Sequence, residues 1–247
     1  MDKERYLIVY ELCIEEKQTV TEAYLRFVSK ERLERIRHLH FEEDQLCALY
    51  SELLLRYALN QTNKGTEDCS IAVMQQGKPY IPDHSEIHFN WSHSGRMICL
   101  AISSTEIGVD VEKIRDARLA VANRFFTAQE CRLIQGAAPK AQGQIFTEIW
   151  TAKESFIKCT GEGLSRGLST FGFVRQNGQY LLAEPEEAAG SYQFHHWTPE
   201  AGYQACICVC GNLMGQMTVR KIRITDLDTF YDRKIEEEQK SLNTKNF

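Results

Sequence analysis

An α+β fold is predicted by three observations. Short strands of alternating apolar and polar residues recur along the whole chain. A few strongly amphipathic helices are interspersed with them. No βαβ rhythm with Gly-rich loops joins these elements, which argues against a doubly wound parallel sheet. A short polar joint at Ser103–Glu106 divides the chain into two halves, 1–104 and 105–225, each mixing helices with strands; a charged tail, 226–247, is expected to fray. No sequence repeat relates the halves.

Residues 5–13 alternate as a strand, and residues 21–39 form a charged helical stretch. Within it SKERLERIRHLH (29–40) is locally basic, with Lys30, Arg32, Arg35 and Arg37 outnumbering Glu31 and Glu34. Residues 42–59 carry Leu46, Leu49, Leu53, Leu54 and Tyr57 at helical spacing. A strand is expected at 69–75, then turn chemistry at Gly77–Pro79. EIHFNWS (86–92) alternates, with Ile87, Phe89 and Trp91 on one face, and Ser94-Gly95 turns it into a second strand, Met97–Ser103. The second half opens on the apolar strand IGVDVEKI (107–114), followed by helices near 116–124 and 127–135. Thr127 and Glu130 form a capping box. A small-residue loop, Gly136–Gly143, precedes the central helix, Ile145–Leu164, which ends at Gly161. Strands are expected at 169–175, 179–183, 191–197, 203–210 and 217–224.

With 43% apolar residues among 247, the chain can bury a sizeable core. A net charge of −5 gives no global basic field for nucleic acid. No apolar run reaches the roughly 18–20 residues that span a bilayer. The opening MDKERYLIVYELC runs from charge straight into a short strand and lacks a signal-peptide pattern. Nine cysteines without a CxxC pair read as reduced, mostly buried thiols of a cytoplasmic protein, with Cys206, Cys208 and Cys210 on one strand face.

Two stretches carry the chemistry. On the central helix Ile145, Ile149, Ala152 and Phe156 face a core, while Trp150, Glu154 and Lys158, each four apart, share an adjoining face with Lys153 beside it. In IGVDVEKI, Asp110 and Glu112 point to one side of a strand, with Cα atoms roughly 6–7 Å apart. Taken singly, a Glu–Lys pair four apart is a helix-stabilising pair and two strand acids are a solvated face. Acids are nevertheless disfavoured in strands flanked by Ile107, Val109 and Val111. Two strand carboxylates and one helix carboxylate suit a hard divalent cation, and nearby lysines suit the phosphates it accompanies. His93, between Ser92 and Ser94 in a hairpin, and Lys78, in QGKPY, are either polar surface or phosphate donors. A serine-hydrolase reading of SHSG fails for want of a GxSxG elbow.

These residues spell a larger pattern. QQGKPYIP, FNWSHSGRM, GVDVE, RFFTAQE and IWTAKESFIKCTGEGL, in this order, resemble the Sfp-type 4′-phosphopantetheinyl transferases over roughly residues 5–225. The resemblance implies two similar α+β halves related by a pseudo-twofold, with coenzyme A bound between them. It places Mg²⁺ on Asp110, Glu112 and Glu154, and lysines and a histidine at the phosphates, here Lys153, Lys158 and His93, with Ser92 beside them. Gly77, Lys78 and Pro79 match the turn near the adenine end, and Arg32 and Arg35 match the basic residues that grip the 3′-phosphate. One departure stands out. Where many relatives carry an Arg-Ser or Arg-Thr pair, this chain has Cys47 and Ala48. Such a lost charged hydrogen bond is worth roughly 1.5–3 kcal/mol.

The implied reaction moves phosphopantetheine from coenzyme A onto a serine of an acyl or peptidyl carrier protein and releases 3′,5′-ADP. Glu154 is the expected general base, and Lys158 the group that stabilises or protonates the leaving phosphate. The carrier is expected to dock on the second half near Ala117–Phe126, where Leu119, Val121, Phe125 and Phe126 offer apolar anchors or simply pack in the core. A monomer with neither nucleic-acid nor membrane partner is expected. Two rivals use the same residues: another Mg²⁺-dependent transferase acting on a nucleotide, and an inactive relative that only binds carriers.

Overall fold

A computed structural model describes residues 5–62, 66, 68–163, 166–184 and 190–245. Leu164, the expected end of the central stretch, lies outside the described residues. The first half runs β1 (Leu7–Cys13), a 3₁₀ turn (Glu22–Phe27), α1 (Lys30–His38), α2 (Glu42–Asn60), the short hairpin β2 (Ala72–Val73) and β3 (Pro79–Tyr80), then β4 (His88–Ser94) and β5 (Met97–Ser103). The second half runs β6 (Ile107–Lys113), α3 (Leu119–Phe125), α4 (Ala128–Gln135), α5 (Pro139–Thr160), the hairpin β7 (Gly172–Gln176) and β8 (Gln179–Glu184), then β9 (Tyr192–Trp197) and β10 (Tyr203–Cys210). In each half the first strand pairs with the last, and the last with the one before it, giving orders β1–β5–β4 and β6–β10–β9. The halves therefore repeat one topology, which the sequences do not advertise.

One strand and one helix from the last part of the chain close the first half rather than the second. β11 (Met217–Ile222) pairs parallel to β1, with Val219 opposite Val9. The charged residues that follow form α6 (Ile224–Lys245) instead of a fraying tail. Ile224, Leu227 and Tyr231 of α6 are buried in the same core as α2, and the Tyr231 hydroxyl donates to the Leu53 carbonyl at 2.7 Å. An apolar stripe at helical spacing inside a charged sequence is enough to dock the helix.

The layers follow from the period of the strands. On β1, Leu7 and Val9 join Met97, Cys99 and Ala101 of β5 in a core shared with Ile107, Val109 and Val111 of β6 and Ala205, Ile207 and Val209 of β10. The alternate residues, Tyr10, Leu12, Ile98, Leu100 and Ile102, face α2. The two sheets thus stack between α2 and α5, and β5 (MICLAIS), covered on both faces, is apolar up to its last residue. The outer face of β6 carries Gly108, Asp110 and Glu112, turned toward α5.

The expected loop at Gly136–Gly143 is a loop only at its start. Pro139 opens α5 at a first-turn position, where its fixed φ and missing N–H are tolerated. The helix stops where expected, at Gly161 in the left-handed region with φ +73°.

Candidate active site

From Asn90 onward every second residue of β4 is small and polar, and these side chains join the two sheets. Asn90 Oδ1 accepts from the Val109 amide at 2.9 Å. Ser92 Oγ donates to Asp110 Oδ1 at 2.8 Å, and Ser94 Oγ donates to Glu112 Oε2 at 2.7 Å. Ser94 Oγ also accepts from the Lys113 amide at 3.1 Å. Two acids that would be disfavoured in a strand are thereby held by a row of hydroxyls from the opposing half.

α5 lies directly on β6. A Cβ added to Gly108 would collide with the Ser155 carbonyl and the Cys159 amide, so only glycine admits this approach. From that seat Trp150, Glu154 and Lys158, partly exposed among buried neighbours, reach the edge of β6. Lys158 Nζ pairs with Asp110 Oδ1 at 2.6 Å and donates to Ser92 Oγ at 3.0 Å and the Val109 carbonyl at 3.3 Å. Arg32, Arg35, Trp91, Ser92 and His93 of the first half face Asp110, Glu112, Trp150, Glu154 and Lys158 of the second across a cleft of about 400 Å³. Arg32 is held there by buried Glu52, 3.5 Å away, which also accepts from the Ser29 amide at the start of α1.

The cleft is electrostatically divided. Burial, then repulsion from Asp110, pushes the carboxyls of Glu112 and Glu154 above their ordinary range. His93 is pulled down by the protein packed around it and by the cations Lys158, Arg35 and Arg32. Asp110 Oδ2 is buried and has no hydrogen-bond partner among the described residues. An orphaned buried carboxylate oxygen with two mutually repelling carboxylates beside it is a donor set suited to a hard divalent cation. The set is open, however: among the described residues no three His, Cys, Asp or Glu side chains close into a ready-made metal cage. Lys158 already covers one oxygen of Asp110, and Ser94 one of Glu112.

Lys153 does not join this cleft. It is fully buried on the far side of α5, where Nζ meets Glu130 Oε2 at 3.0 Å and the Leu168 and Phe171 carbonyls at 2.9 and 2.6 Å, under the Phe171 ring. One residue of offset on a helix turns the side chain by about 100°. Glu130 makes the expected capping box with Thr127 and, beyond it, pairs with Lys153 and accepts from the Phe173 amide at 3.0 Å. Lys78 is also engaged: Nζ reaches Glu106 Oε2 at 2.5 Å and the Cys159 carbonyl at 2.9 Å, and His88 Nδ1 lies 3.2 Å from Glu106 Oε1. Gly77, Lys78 and Pro79 line a second groove with Asn90, Trp91, Ile157, Lys158 and Gly161, next to the acidic cleft. Cys47 and Ala48 are buried in the α2 core, with the Cys47 thiol donating to the Gly95 carbonyl at 3.1 Å. On α3, Leu119 is exposed and Val121 and Phe125 are half-buried; Phe126, just beyond its end, is core, stacked 5.3 Å from Phe146.

Sequence reasoning missed two parts of this arrangement. Trp91 lines both grooves, and its signal was hidden because an aromatic in an alternating strand reads as core. The Asn90–Ser92–Ser94 row was visible as a period of two, but its partners on β6 were not.

Comparison with known proteins decides the family. Residues 106–208 match the 4′-phosphopantetheinyl transferase superfamily, and residues 16–105 match the N-terminal part of 4′-phosphopantetheinyl transferases. 4′-Phosphopantetheinyl transferase Sfp of Bacillus subtilis (strain 168) is 33% identical over 193 residues, covering 77% of this chain and 86% of the relative. The chain belongs to the Sfp-type 4′-phosphopantetheinyl transferases. The 4′-phosphopantetheinyl transferase gsp of Aneurinibacillus migulanus is 29% identical over 205 residues, with 81% of this chain and 84% of that one covered. Among solved structures, a holo-(acyl-carrier-protein) synthase from Bacillus anthracis in complex with CoA (3′,5′-ADP) matches 44% of this chain and 97% of its own at 15% identity and a TM-score of 0.36. The acids, cations and His93 of the candidate cleft gather at the junction of the two halves, around β4, β6 and α5.

Proposed function

We propose that this chain is a 4′-phosphopantetheinyl transferase that moves the phosphopantetheine arm of coenzyme A onto a serine of an acyl or peptidyl carrier protein, releasing 3′,5′-ADP. The observation that carries the reading is the cleft itself: Asp110, Glu112, Glu154 and Lys158 from one half face Arg32, Arg35 and His93 from the other. Asp110, Glu112 and Glu154 would hold Mg²⁺. Bound there, Mg²⁺ would neutralise charge on the pyrophosphate and orient it. Glu154, whose carboxyl is raised above its ordinary range by burial and by Asp110, takes the proton from the carrier serine as its oxygen forms a bond to the β-phosphorus. The bond from that phosphorus to the 3′,5′-ADP oxygen breaks, and Lys158 meets the charge that develops on the leaving phosphate. Arg32 and Arg35 grip the 3′-phosphate. His93, neutral near pH 7, hydrogen-bonds phosphate oxygens without adding charge.

The carrier approaches from α3, where exposed Leu119 and half-buried Val121 stand beside Arg115 and Arg118 of an adjoining groove that also contains Glu112 and Trp150. No helix among the described residues is long and apolar enough to cross a membrane. All nine cysteines are free thiols, in keeping with a reducing, cytoplasmic setting. The test is mass spectrometry of apo-carriers from fatty acid, polyketide and nonribosomal peptide assembly, incubated with the chain, coenzyme A and Mg²⁺. A gain of one phosphopantetheine on a carrier serine, abolished by a chelator, is expected. No gain on any carrier in the panel refutes the proposal.

A further inference from the structure

The polar residues of the cleft account for phosphates, a cation and a nucleophile, but they leave the base of the nucleotide without a seat. Cys47 and Ala48, which stand where many relatives carry an Arg-Ser or Arg-Thr pair, are buried in the core. Lys78 is committed to Glu106 and the Cys159 carbonyl. The groove beside the acidic cleft is instead walled by Gly77, Pro79, Ile157, Gly161 and the indole of Trp91, surfaces that suit a flat ring rather than a charge. Trp91 and Lys158 are the two residues that bound both cavities, and Lys158 is paired with Asp110. A guest whose pyrophosphate lies among the cations of the cleft and whose nucleoside lies in the neighbouring groove must pass Trp91. The indole is held in place beforehand: the Arg32 guanidinium lies 4.7 Å from its centroid, and Phe89 packs 5.3 Å away at a tilt of 42°. Glu52 in turn fixes Arg32. A ring already ordered loses little freedom when a base stacks on it.

We infer that Trp91 is the stacking platform for the purine base of the donor, and so a residue that sets the preference for an adenine nucleotide. The inference rests on the coenzyme A reading, and its test separates the two. Calorimetric titrations use the full-length chain, Trp91→Leu and Trp91→Phe, each against 3′,5′-ADP and against base-free ribose 3,5-bisphosphate. Stacking on an aromatic side chain makes a loss of about tenfold or more the expected effect of Trp91→Leu on 3′,5′-ADP affinity. Ribose 3,5-bisphosphate should bind all three proteins within about twofold, and Trp91→Phe should recover most of the lost affinity. Unchanged 3′,5′-ADP binding by Trp91→Leu overturns the inference, as does an equal loss of both ligands, which would make the residue merely structural. If the unaltered chain binds neither ligand, the coenzyme A reading falls and this inference with it.

Discussion

Gly108 is the position where packing and chemistry are most tightly joined, and replacing it with alanine tests that link. An ideal Cβ there falls on the Ser155 carbonyl oxygen and the Cys159 amide nitrogen and lies 2.9 Å from the Lys158 carbonyl carbon. Non-bonded carbon contacts are comfortable near about 3.5–4.0 Å, so α5 must retreat from β6 by on the order of 1 Å. All three obstacles are backbone atoms, which cannot rotate aside as a side chain would. Overpacking of this kind costs about 1–3 kcal/mol, and the rigid partners put Gly108→Ala at the upper end, about 3 kcal/mol. The same retreat draws Lys158 away from Asp110 and shifts Glu154, and a displacement of about 1 Å can cost roughly 100-fold in rate. Urea denaturation followed by circular dichroism measures the first effect, and transfer from coenzyme A to an apo-carrier measures the second. Gly215→Ala, where a Cβ meets nothing within 4 Å, is the control and should stay within about 0.5 kcal/mol. A Gly108→Ala protein as stable and as fast as its parent would refute the claim that glycine sets the α5–β6 distance.

Four further outcomes follow from the geometry. Glu154→Gln should abolish carrier modification with the circular dichroism spectrum unchanged; full activity would remove Glu154 from the mechanism. Lys153→Met should destabilise the chain by about 3–5 kcal/mol, because Glu130 is left charged and buried, and adding Glu130→Gln should recover part of that loss; a change confined to the KM for coenzyme A would instead return Lys153 to the cleft. Hydrogen bonding from His88, with the Lys78 charge beside it, holds the Glu106 carboxyl down at about 2, so its stabilising effect is present above the ordinary value near 4.5 and is lost as pH falls through about 2. Glu106 is half exposed, which screens the effect to about 1 kcal/mol, so Glu106→Gln should be less stable at pH 7 and the gap should close on acidification; a pH-independent gap would be inconsistent with this account. Leu119→Asp should raise the KM for the carrier severalfold with the KM for coenzyme A unmoved, and parallel losses of both would argue against docking at α3.

Much of this was legible in the linear order of residues. The 3.6-residue period placed Trp150, Glu154 and Lys158 on one stripe of α5, and the period of two placed Asp110 and Glu112 on one face of β6. Those periods are local properties, readable without the fold. Lys153 was misread because a lysine beside an exposed stripe is usually solvated, and only the tertiary structure supplies Glu130 to neutralise it in the core. The tail was misread for a related reason: Leu227 and Tyr231 are sparse among charges, and their value depends on the α2 surface they cover. The strand expected at 69–75 is reduced to Ala72–Val73, whose pairing partner among the described residues is the two-residue β3. The division of labour between Ser92, Ser94 and the β6 acids is a long-range pairing that no window of sequence contains.

The return of β11 and α6 to the first half has a consequence for synthesis. When residue 104 leaves the ribosome, the first lobe still lacks its outermost strand and the helix that covers Leu53, and both arrive more than a hundred residues later. At about 5–20 residues per second, that open edge waits roughly six seconds or longer for its partner. The second lobe, whose sheet closes with β10, has all its strands before the first is finished, so this polypeptide completes its beginning last.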